Sequence, residues 1–296
     1  MNSRRYTRKS FLATLGLAAG AAPLFAAERP RNRGVGPGFK GPLGLQLYSL
    51  RDSFKSDVPG SMKKVANFGF QYAELAGTYG MAPDKFLALL KENGITAVSG
   101  HFGYEMWRDK PEAAVAEARA LGLKYAGCAW IPHTSPFDEK QCRAAAATFN
   151  NAGKVAAAQG IRFFYHVHGY EFEKHGDGTL LDLLFQETDP KTVAYQMDIF
   201  WVVFPGQDPV KLLEKYTHRW ELMHLKDMKQ GVKLGSLTGG TDVSNDVAIG
   251  AGQIQFVPLL RAAKKAGVKF YFIEDESPSV MTQIPESLRF LETIRL

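Results

Sequence analysis

The chain has 296 residues, of which 45% are hydrophobic and 12% aromatic, and this composition excludes disorder and fibrous repeats. Its formal net charge of +6 is concentrated at the start of the chain. Arg4, Arg5, Arg8 and Lys9 are basic, and no acidic residue precedes Glu28. The rest of the chain is nearly neutral, which argues against a nucleic acid partner, because phosphate binding needs a concentrated basic face.

Residues 1–27 are predicted to be a cleavable export signal. A basic start precedes an apolar stretch at residues 11–25, and the small residues Ala26 and Ala27 follow it. Residues 7–12, TRKSFL, resemble the twin-arginine export motif with lysine in place of the second arginine, and the general secretory route is the alternative. We expect the mature protein in the periplasm without stable membrane insertion, because no later apolar stretch approaches about 18 uncharged residues.

Residues 28–42 are rich in glycine, proline and arginine and are predicted to form a flexible linker, which leaves residues 43–296 as one domain. In this domain, helix-like segments end in glycine and a β-rich run follows at once, as at Gly69 and Gly267. Glycine readily adopts the left-handed conformation that ends a helix. Eight strands are predicted, at residues 43–48, 70–75, 95–98, 123–126, 161–165, 193–197, 219–225 and 268–273.

The alternation of these strands with helices favours a single (β/α)8 barrel. Continuous apolar runs are typical of strands that are buried on both faces of a parallel sheet. An open doubly wound sheet is the alternative, and it is disfavoured because no glycine-rich phosphate loop follows the first strand. Cys128 and Cys142 are the only cysteines, and we expect two buried thiols rather than a disulfide.

Polar residues end most of the predicted strands. In a barrel of this kind the carboxyl ends of the strands surround the active site. The polar residues at these ends are Gln46, Glu74, His101, His166 with His168, Asp198, His224 with Lys226, and Glu274. A purely structural barrel end does not need so many ionisable groups, since each one costs free energy when it leaves water without a partner.

Four of these residues predict a metal site. His166, Asp198, His224 and Glu274 end four consecutive strands. Two imidazoles and two carboxylates form a suitable ligand set for one divalent ion, namely Mn²⁺, Zn²⁺, Co²⁺ or Fe²⁺. The alternative for any one residue is a hydrogen-bonded polar group in the core, and the coincidence of all four favours the metal.

Several segments resemble the sugar phosphate isomerase/epimerase-like family with the xylose isomerase-type TIM barrel. They are residues 165–172 (YHVHGYEF), 198–202 (DIFWV), 224–227 (HLKD) and 273–276 (IEDE), and the resemblance extends from residue 44 to the end of the chain. It implies a metal held by Glu, Asp, His and Glu. The last three positions match Asp198, His224 and Glu274, and the first is His166. Epimerases of this type use two glutamates as a proton-transfer pair, so His166 disfavours symmetrical epimerisation.

The resemblance implies a metal-dependent isomerase or epimerase that acts through an enediolate. A divalent ion that binds a carbonyl oxygen and the adjacent hydroxyl oxygen acidifies the proton between them. We expect an unphosphorylated keto-sugar or glycoside, because sugar phosphates are chiefly intracellular and the chain offers no compact basic phosphate cradle. A 3-keto-glycoside lyase that works by β-elimination and a non-catalytic carbohydrate-binding barrel are the alternatives.

The remaining polar residues are predicted to transfer protons to or from the substrate or to bind it. Proton transfer is predicted for His168, Lys226, Glu274 and Glu74, with His168 or Glu274 as the base and Lys226 as the acid. The imidazole of His168 is expected to keep its ordinary pKa of about 6.5. Contacts with the carbohydrate are predicted for Gln46, His101 and Trp201.

Overall fold

The computed structural model describes residues 33–296, so the predicted export signal and the first part of the predicted linker lie outside the described residues. Eight parallel strands close into a barrel in chain order. They are β1 (Leu43–Gln46), β2 (Tyr72–Leu75), β3 (Thr96–His101), β4 (Tyr125–Cys128), β5 (Arg162–His166), β6 (Val193–Asp198), β7 (Trp220–Leu225) and β8 (Phe270–Ile273). The predicted (β/α)8 barrel and all eight of its strands are confirmed.

Eleven α-helices lie in the described part of the chain and follow the strands. They are α1 (Arg51–Ser56), α2 (Val58–Phe68), α3 (Pro83–Glu92), α4 (Tyr104–Asp109), α5 (Pro111–Ala120), α6 (Glu139–Ala157), α7 (Leu180–Glu187), α8 (Ile199–Val203), α9 (Pro209–Lys215), α10 (Phe256–Ala266) and α11 (Val280–Thr293). Among residues 33–296, none of these helices has the length and apolar character that a bilayer crossing requires.

Glycine ends helices at the positions that the sequence indicates. Gly69 ends α2 with φ of 95°, and Gly267 ends α10 with φ of 90°. Both angles lie in the left-handed region, where a side chain would be strained. The chain turns back at each glycine and enters the next strand, β2 or β8.

A layer of side chains fills the barrel below the site. This layer consists of Val98, Tyr125, Phe164, Ala194, Leu222 and Phe272. Side chains two residues apart on a strand point to the same face. His166, His224 and Glu274 each follow a member of the layer by two positions. The barrel therefore presents them on top of an apolar floor, at the carboxyl ends of the strands.

Residues 33–42 pack against the opposite end of the barrel. Phe39 is 3% exposed, and its ring meets that of Tyr271 edge to face at 5.1 Å. Arg33 pairs with Glu292 at 3.2 Å near the end of α11. This part of the predicted flexible linker is thus held against the barrel, because an aromatic side chain and an ion pair fix it.

The two cysteines are separate buried thiols, as expected. The Sγ of Cys128 donates to the backbone oxygen of Trp130 at 3.2 Å, and the Sγ of Cys142 donates to that of Leu180 at 3.3 Å. Burial raises the pKa of both thiols to about 12, so neither is a ready nucleophile.

Candidate metal centre and its cavity

The carboxylate of Asp198 is satisfied on one oxygen only. Its Oδ1 accepts hydrogen bonds from the backbone N–H of Phe200 at 2.8 Å and of Trp201 at 3.2 Å, which caps the first turn of α8. Its Oδ2 is buried and has no hydrogen-bond partner within residues 33–296. A buried carboxylate oxygen without a donor is costly, so this atom marks a place that suits a cation.

The other predicted ligands converge on the same oxygen. The distances to Asp198 Oδ2 are 3.9 Å from His166 Nε2 and 3.7 Å from His224 Nδ1. Glu274 Oε2 lies 3.1 Å from His224 Nδ1, and the ligand atoms of Asp198, His224 and Glu274 all lie within 4.8 Å of one another. Ligands that are about 2.0–2.2 Å from one ion are separated from each other by about 3–4 Å. Asp198, His224 and Glu274 therefore fit a single divalent ion, and His166 Nε2 lies 3.9 Å from the Asp198 oxygen that faces it.

Hydrogen bonds orient both imidazoles toward that point. His166 Nδ1 lies 2.8 Å from Gln196 Oε1, an atom that only accepts, so Nδ1 carries the hydrogen and Nε2 is free to ligate. His224 uses Nε2 to contact Glu74 Oε1, which leaves Nδ1 to face Asp198 and Glu274. Such outer partners fix the tautomer of metal-binding histidines.

Burial and the neighbouring carboxylates have opposite effects on the pKa of His224. Burial opposes the protonated form, but the charges of Glu74 and Glu274 outweigh it and raise the pKa of His224 well above its usual range. At His166, burial and the charges of the neighbouring imidazoles both disfavour protonation, and together they lower its pKa well below the usual range. A bound metal ion replaces a proton at such sites, so a cation in this position would satisfy the carboxylates.

Glu74 lies beneath the histidines. Its side chain is fully buried, and its two oxygens contact Gln46, Ser99, His101, Gln196 and His224. Burial raises its pKa, but His101 and His224 outweigh this effect and hold the pKa well below the usual range. The predicted proton-transfer residue Glu74 and the predicted substrate contact Gln46 are both packed in this network, away from the cavity.

A cavity of about 280 Å³ opens above the four ligands. It is lined by Tyr48, Ala76, His101, Ala129, His166, His168, Glu274 and Glu276. The predicted residues His101, His168 and Glu274 thus share one surface. Trp201 lies behind this surface, where it is 5% exposed and its ring stacks on that of His168 at 4.9 Å.

The pKa of His168 differs from the ordinary value that was expected from sequence. Burial, together with the charge of Lys226, lowers its pKa to about 3, well below the ordinary imidazole value. Its Nδ1 is buried without a partner in the described chain. Glu171 holds the backbone here by accepting hydrogen bonds from the N–H of His168 at 2.9 Å and of Gly169 at 2.7 Å. His168 is therefore a neutral, weak base in a fixed position.

Lys226 is enclosed by carboxylates. Its Nζ lies 2.5 Å from Glu276 Oε1, 3.5 Å from Asp246 Oδ2 and 3.6 Å from Glu274 Oε2. Burial opposes its charge, but these carboxylates outweigh burial and raise the pKa of Lys226 well above the usual range. The ammonium group is thus held behind Glu274 and Glu276, the two of these carboxylates that line the cavity.

Four residues of this site were not predicted from the sequence: Tyr48, Ser99, Gln196 and Glu276. Gln196 precedes Asp198 by two positions on β6, so the alternation of side chains could have identified it. Tyr48 lies in a short 3-10 helix, Leu47–Leu50, after β1, and Glu276 lies in the loop after β8, and no periodic pattern indicates the direction of either side chain.

Comparisons with known proteins agree with this fold. Residues 62–294 match a family model described as the xylose isomerase-like TIM barrel. Inosose dehydratase of Geobacillus thermodenitrificans is 29% identical over 164 residues, which are 49% of this chain and 51% of that protein. The chain therefore matches about half the length of such curated relatives.

Solved structures resemble the whole barrel. A sugar phosphate isomerase/epimerase from Parabacteroides distasonis has a TM-score of 0.72 at 23% identity, over 89% of this chain and 98% of that one. The IOLI protein with a bound zinc atom has a TM-score of 0.63 at 13% identity, over 84% of this chain and 94% of that one. Since the family model covers more than half of the sequence, the chain belongs to the xylose isomerase-like TIM barrel family.

Proposed function

We propose that this protein is a metal-dependent enzyme that enolises an unphosphorylated keto-sugar or keto-glycoside. The observation that carries the proposal is the buried Oδ2 of Asp198, which has no hydrogen-bond partner among residues 33–296 and faces nitrogen atoms of His166 and His224 beneath a cavity that His166 and Glu274 line. The inosose dehydratases, the sugar phosphate isomerase/epimerase and the zinc-bound IOLI protein support the same class of chemistry and a divalent ion such as Mn²⁺, Zn²⁺, Co²⁺ or Fe²⁺.

His166, Asp198, His224 and Glu274 would hold the ion, which would polarise a carbonyl oxygen and the neighbouring hydroxyl oxygen and so acidify the C–H between them. Proton removal is assigned to Glu274. Its Oε2 contacts His224 and Lys226, which leaves Oε1 to accept the proton. His168 lines the same cavity as a neutral imidazole whose pKa is lowered to about 3, so we assign it the role of accepting a hydrogen bond from a substrate hydroxyl.

Isomerisation or epimerisation returns the proton to the substrate carbon skeleton. Lys226 and Glu276 are 2.5 Å apart and can share the proton that is returned, with Glu276 facing the cavity. This acid pair differs chemically from the Glu274 base. The asymmetry follows from His166, which takes the place of a second glutamate in the family pattern.

A second candidate reaction is β-elimination from a 3-keto-glycoside. In this reaction the base takes the C2 proton, the C2–H electron pair forms the C1=C2 bond, and the C1–O bond breaks. The departing oxygen takes a proton from the Lys226–Glu276 pair. The specific observations in its favour are the asymmetric acid and base groups and the similarity to dehydratases.

Deuterium exchange tests the proposal. The protein with Mn²⁺ is incubated in D₂O with 3-keto-glucose or with its methyl glycoside, and the sugars are followed by NMR. We expect deuterium uptake at C2, with methanol release if the reaction is an elimination. The Asp198→Ala, His224→Ala double variant is the control. Absence of exchange with either ketone would overturn the proposed function and leave the carbohydrate-binding alternative.

We also propose that the chain is exported to the periplasm through its first 27 residues. The basic start, the apolar stretch at residues 11–25 and the motif at residues 7–12 support this proposal. We expect the mature protein to begin between residue 26 and about residue 33. Sequencing of the amino terminus of periplasmic protein checks this, and retention of Met1 there would contradict it.

A further inference from the structure

A second cleft adjoins the cavity above the candidate metal centre. Its volume is about 380 Å³, and it lies between the segments that follow β1 and β8, the two strands that close the barrel. Glu276 lines both the cavity and this second cleft. Glu276 is therefore the residue that the two spaces have in common.

Arg51 fixes the boundary between the two spaces. Its guanidinium lies 4.7 Å from the centre of the Tyr48 ring and donates to the backbone oxygens of Tyr48 at 3.3 Å and Glu276 at 3.0 Å. Tyr48 lines the cavity, Arg51 lines the second cleft, and Glu276 lines both spaces. Because these contacts already hold Arg51 in place, a ligand loses little free energy in ordering it.

Size and chemistry indicate what the second cleft holds. The first cavity, at about 280 Å³, is slightly smaller than the range of about 300–1,000 Å³ for small-molecule pockets, so it suits a single ring. The second cleft combines the charged groups of Arg51 and Asp52 with two exposed apolar side chains, Val243 (39% exposed) and Met281 (44% exposed). This mixture suits a ring that carries both an apolar face and polar substituents.

We propose that the second cleft binds the aglycone ring of a glycoside whose sugar ring occupies the cavity. This inference rests on the proposed function and narrows its substrate class to two-ring glycosides. The glycosidic oxygen then lies beside Glu276, the group shared by the two spaces. Val243 and Met281 contact the face of the aglycone, and thioether sulfur packs favourably on aromatic rings.

Two simple glucosides test this proposal by binding alone, since neither carries a ketone. Phenyl β-D-glucopyranoside and methyl β-D-glucopyranoside are titrated into the Mn²⁺-loaded protein by calorimetry. We expect the phenyl glucoside to bind about tenfold more tightly, which corresponds to about 1.4 kcal/mol. In the Val243→Ser, Met281→Ser double variant this preference should fall to about twofold or less. Leu234→Ser is the matched control, because Leu234 is also 44% exposed but lines neither space.

The outcomes separate this inference from the proposed function. Equal binding of the two glucosides by the unaltered protein, including no binding of either, overturns the inference, as does a preference that survives in the double variant. Thermal melting of both variants shows that they fold. A preference that depends on Val243 and Met281, together with no deuterium exchange from a keto-sugar, supports the aglycone site and contradicts the enolisation chemistry.

Discussion

Gln196 holds His166 through its side-chain oxygen, which lies 2.8 Å from His166 Nδ1. The same oxygen lies 3.0 Å from His101 Nε2, and the amide nitrogen donates to Glu74 at 2.8 Å. One uncharged side chain thus sets the direction of two imidazoles and connects them to the buried carboxylate beneath. His166 needs such a partner because an imidazole, unlike a glutamate, ligates only in the correct tautomer.

Replacement of Gln196 should therefore weaken metal binding. In Gln196→Leu, His166 loses the acceptor for its Nδ1–H, and we expect Mn²⁺ affinity to fall about 10–100-fold, as for other lost outer partners. Gln196→Glu keeps an acceptor oxygen and should retain more affinity than Gln196→Leu. ¹⁵N NMR of labelled histidines checks the cause without any substrate, since a single Nδ1–H tautomer of His166 in Gln196→Leu would contradict the assigned role.

Removal of two ligands should abolish the metal site. We expect one divalent ion per chain in the unaltered protein after dialysis. Asp198→Ala combined with His224→Ala should lower affinity by more than about 100-fold, because ligand loss exceeds the effect of an outer partner. Metal analysis by mass spectrometry checks this, with Asp109→Ala at an exposed ion pair as the control. Full occupancy of the double variant would refute the ligand assignment.

Loss of the Lys226 charge should affect turnover more than metal binding. Lys226→Met removes the proton shared with Glu276, and we expect kcat to fall about 10²–10⁴-fold, the range for general acid–base catalysis. Mn²⁺ affinity should change much less, because Lys226 is not a ligand. Lys226→Arg keeps the charge beside the three carboxylates and serves as the control for folding. Near-full turnover of Lys226→Met with a keto-sugar would show that the assigned role is wrong.

An ion-pair cluster at the other end of the barrel should make stability depend on pH. Glu221 accepts hydrogen bonds from Tyr125 at 2.9 Å, Arg162 at 2.9 Å and Lys269 at 2.8 Å. Burial raises the pKa of Glu221, but Lys269 and Arg162 outweigh burial and lower the pKa below 4.5. The folded pKa is thus below the unfolded value, so the stability that Glu221 contributes is present above pH 4.5 and is lost as the pH falls through the folded pKa.

Glu221→Gln measures this contribution. We expect the variant to lose about 1–3 kcal/mol of unfolding free energy at pH 7, as for the loss of a charged hydrogen-bond acceptor in a buried site. The difference from the unaltered protein should shrink as the pH falls below 4.5. Urea denaturation at a series of pH values checks both points, and a difference that does not vary with pH would exclude the charge as its cause.

The sequence predicted which residues gather at the candidate metal site, but it did not predict how deeply each of them is buried. His166, Asp198, His224 and Glu274 were predictable because each lies within one residue of the carboxyl end of its strand, on the face that points into the barrel. Whether Glu74 faces the cavity depends on the stagger between strands, including the register shift after Ala73 where β2 pairs with β3. No local pattern encodes that stagger, so a buried carboxylate and an exposed one look the same in sequence.

The surroundings of Lys226 also could not be predicted from the sequence. Its partner Asp246 lies in a two-residue strand, Asp246–Val247, that pairs with Asp227–Met228, and its partner Glu276 lies in the loop after β8, so both are distant from Lys226 in sequence. The sequence identified Lys226 as an acid that acts directly on substrate. The structure places its ammonium group behind Glu276, a residue that sequence reasoning did not select.

The packing of residues 33–42 determines how the protein can be attached to a support. Phe39 and Arg33 hold this segment at the end of the barrel that is opposite the cavity. A tag or a surface linkage joined ahead of Arg33 therefore meets the barrel at the end opposite the cavity. Immobilised in that orientation, the molecule presents its cavity to the solution, so surface-based binding measurements can be made without obstructing the entrance.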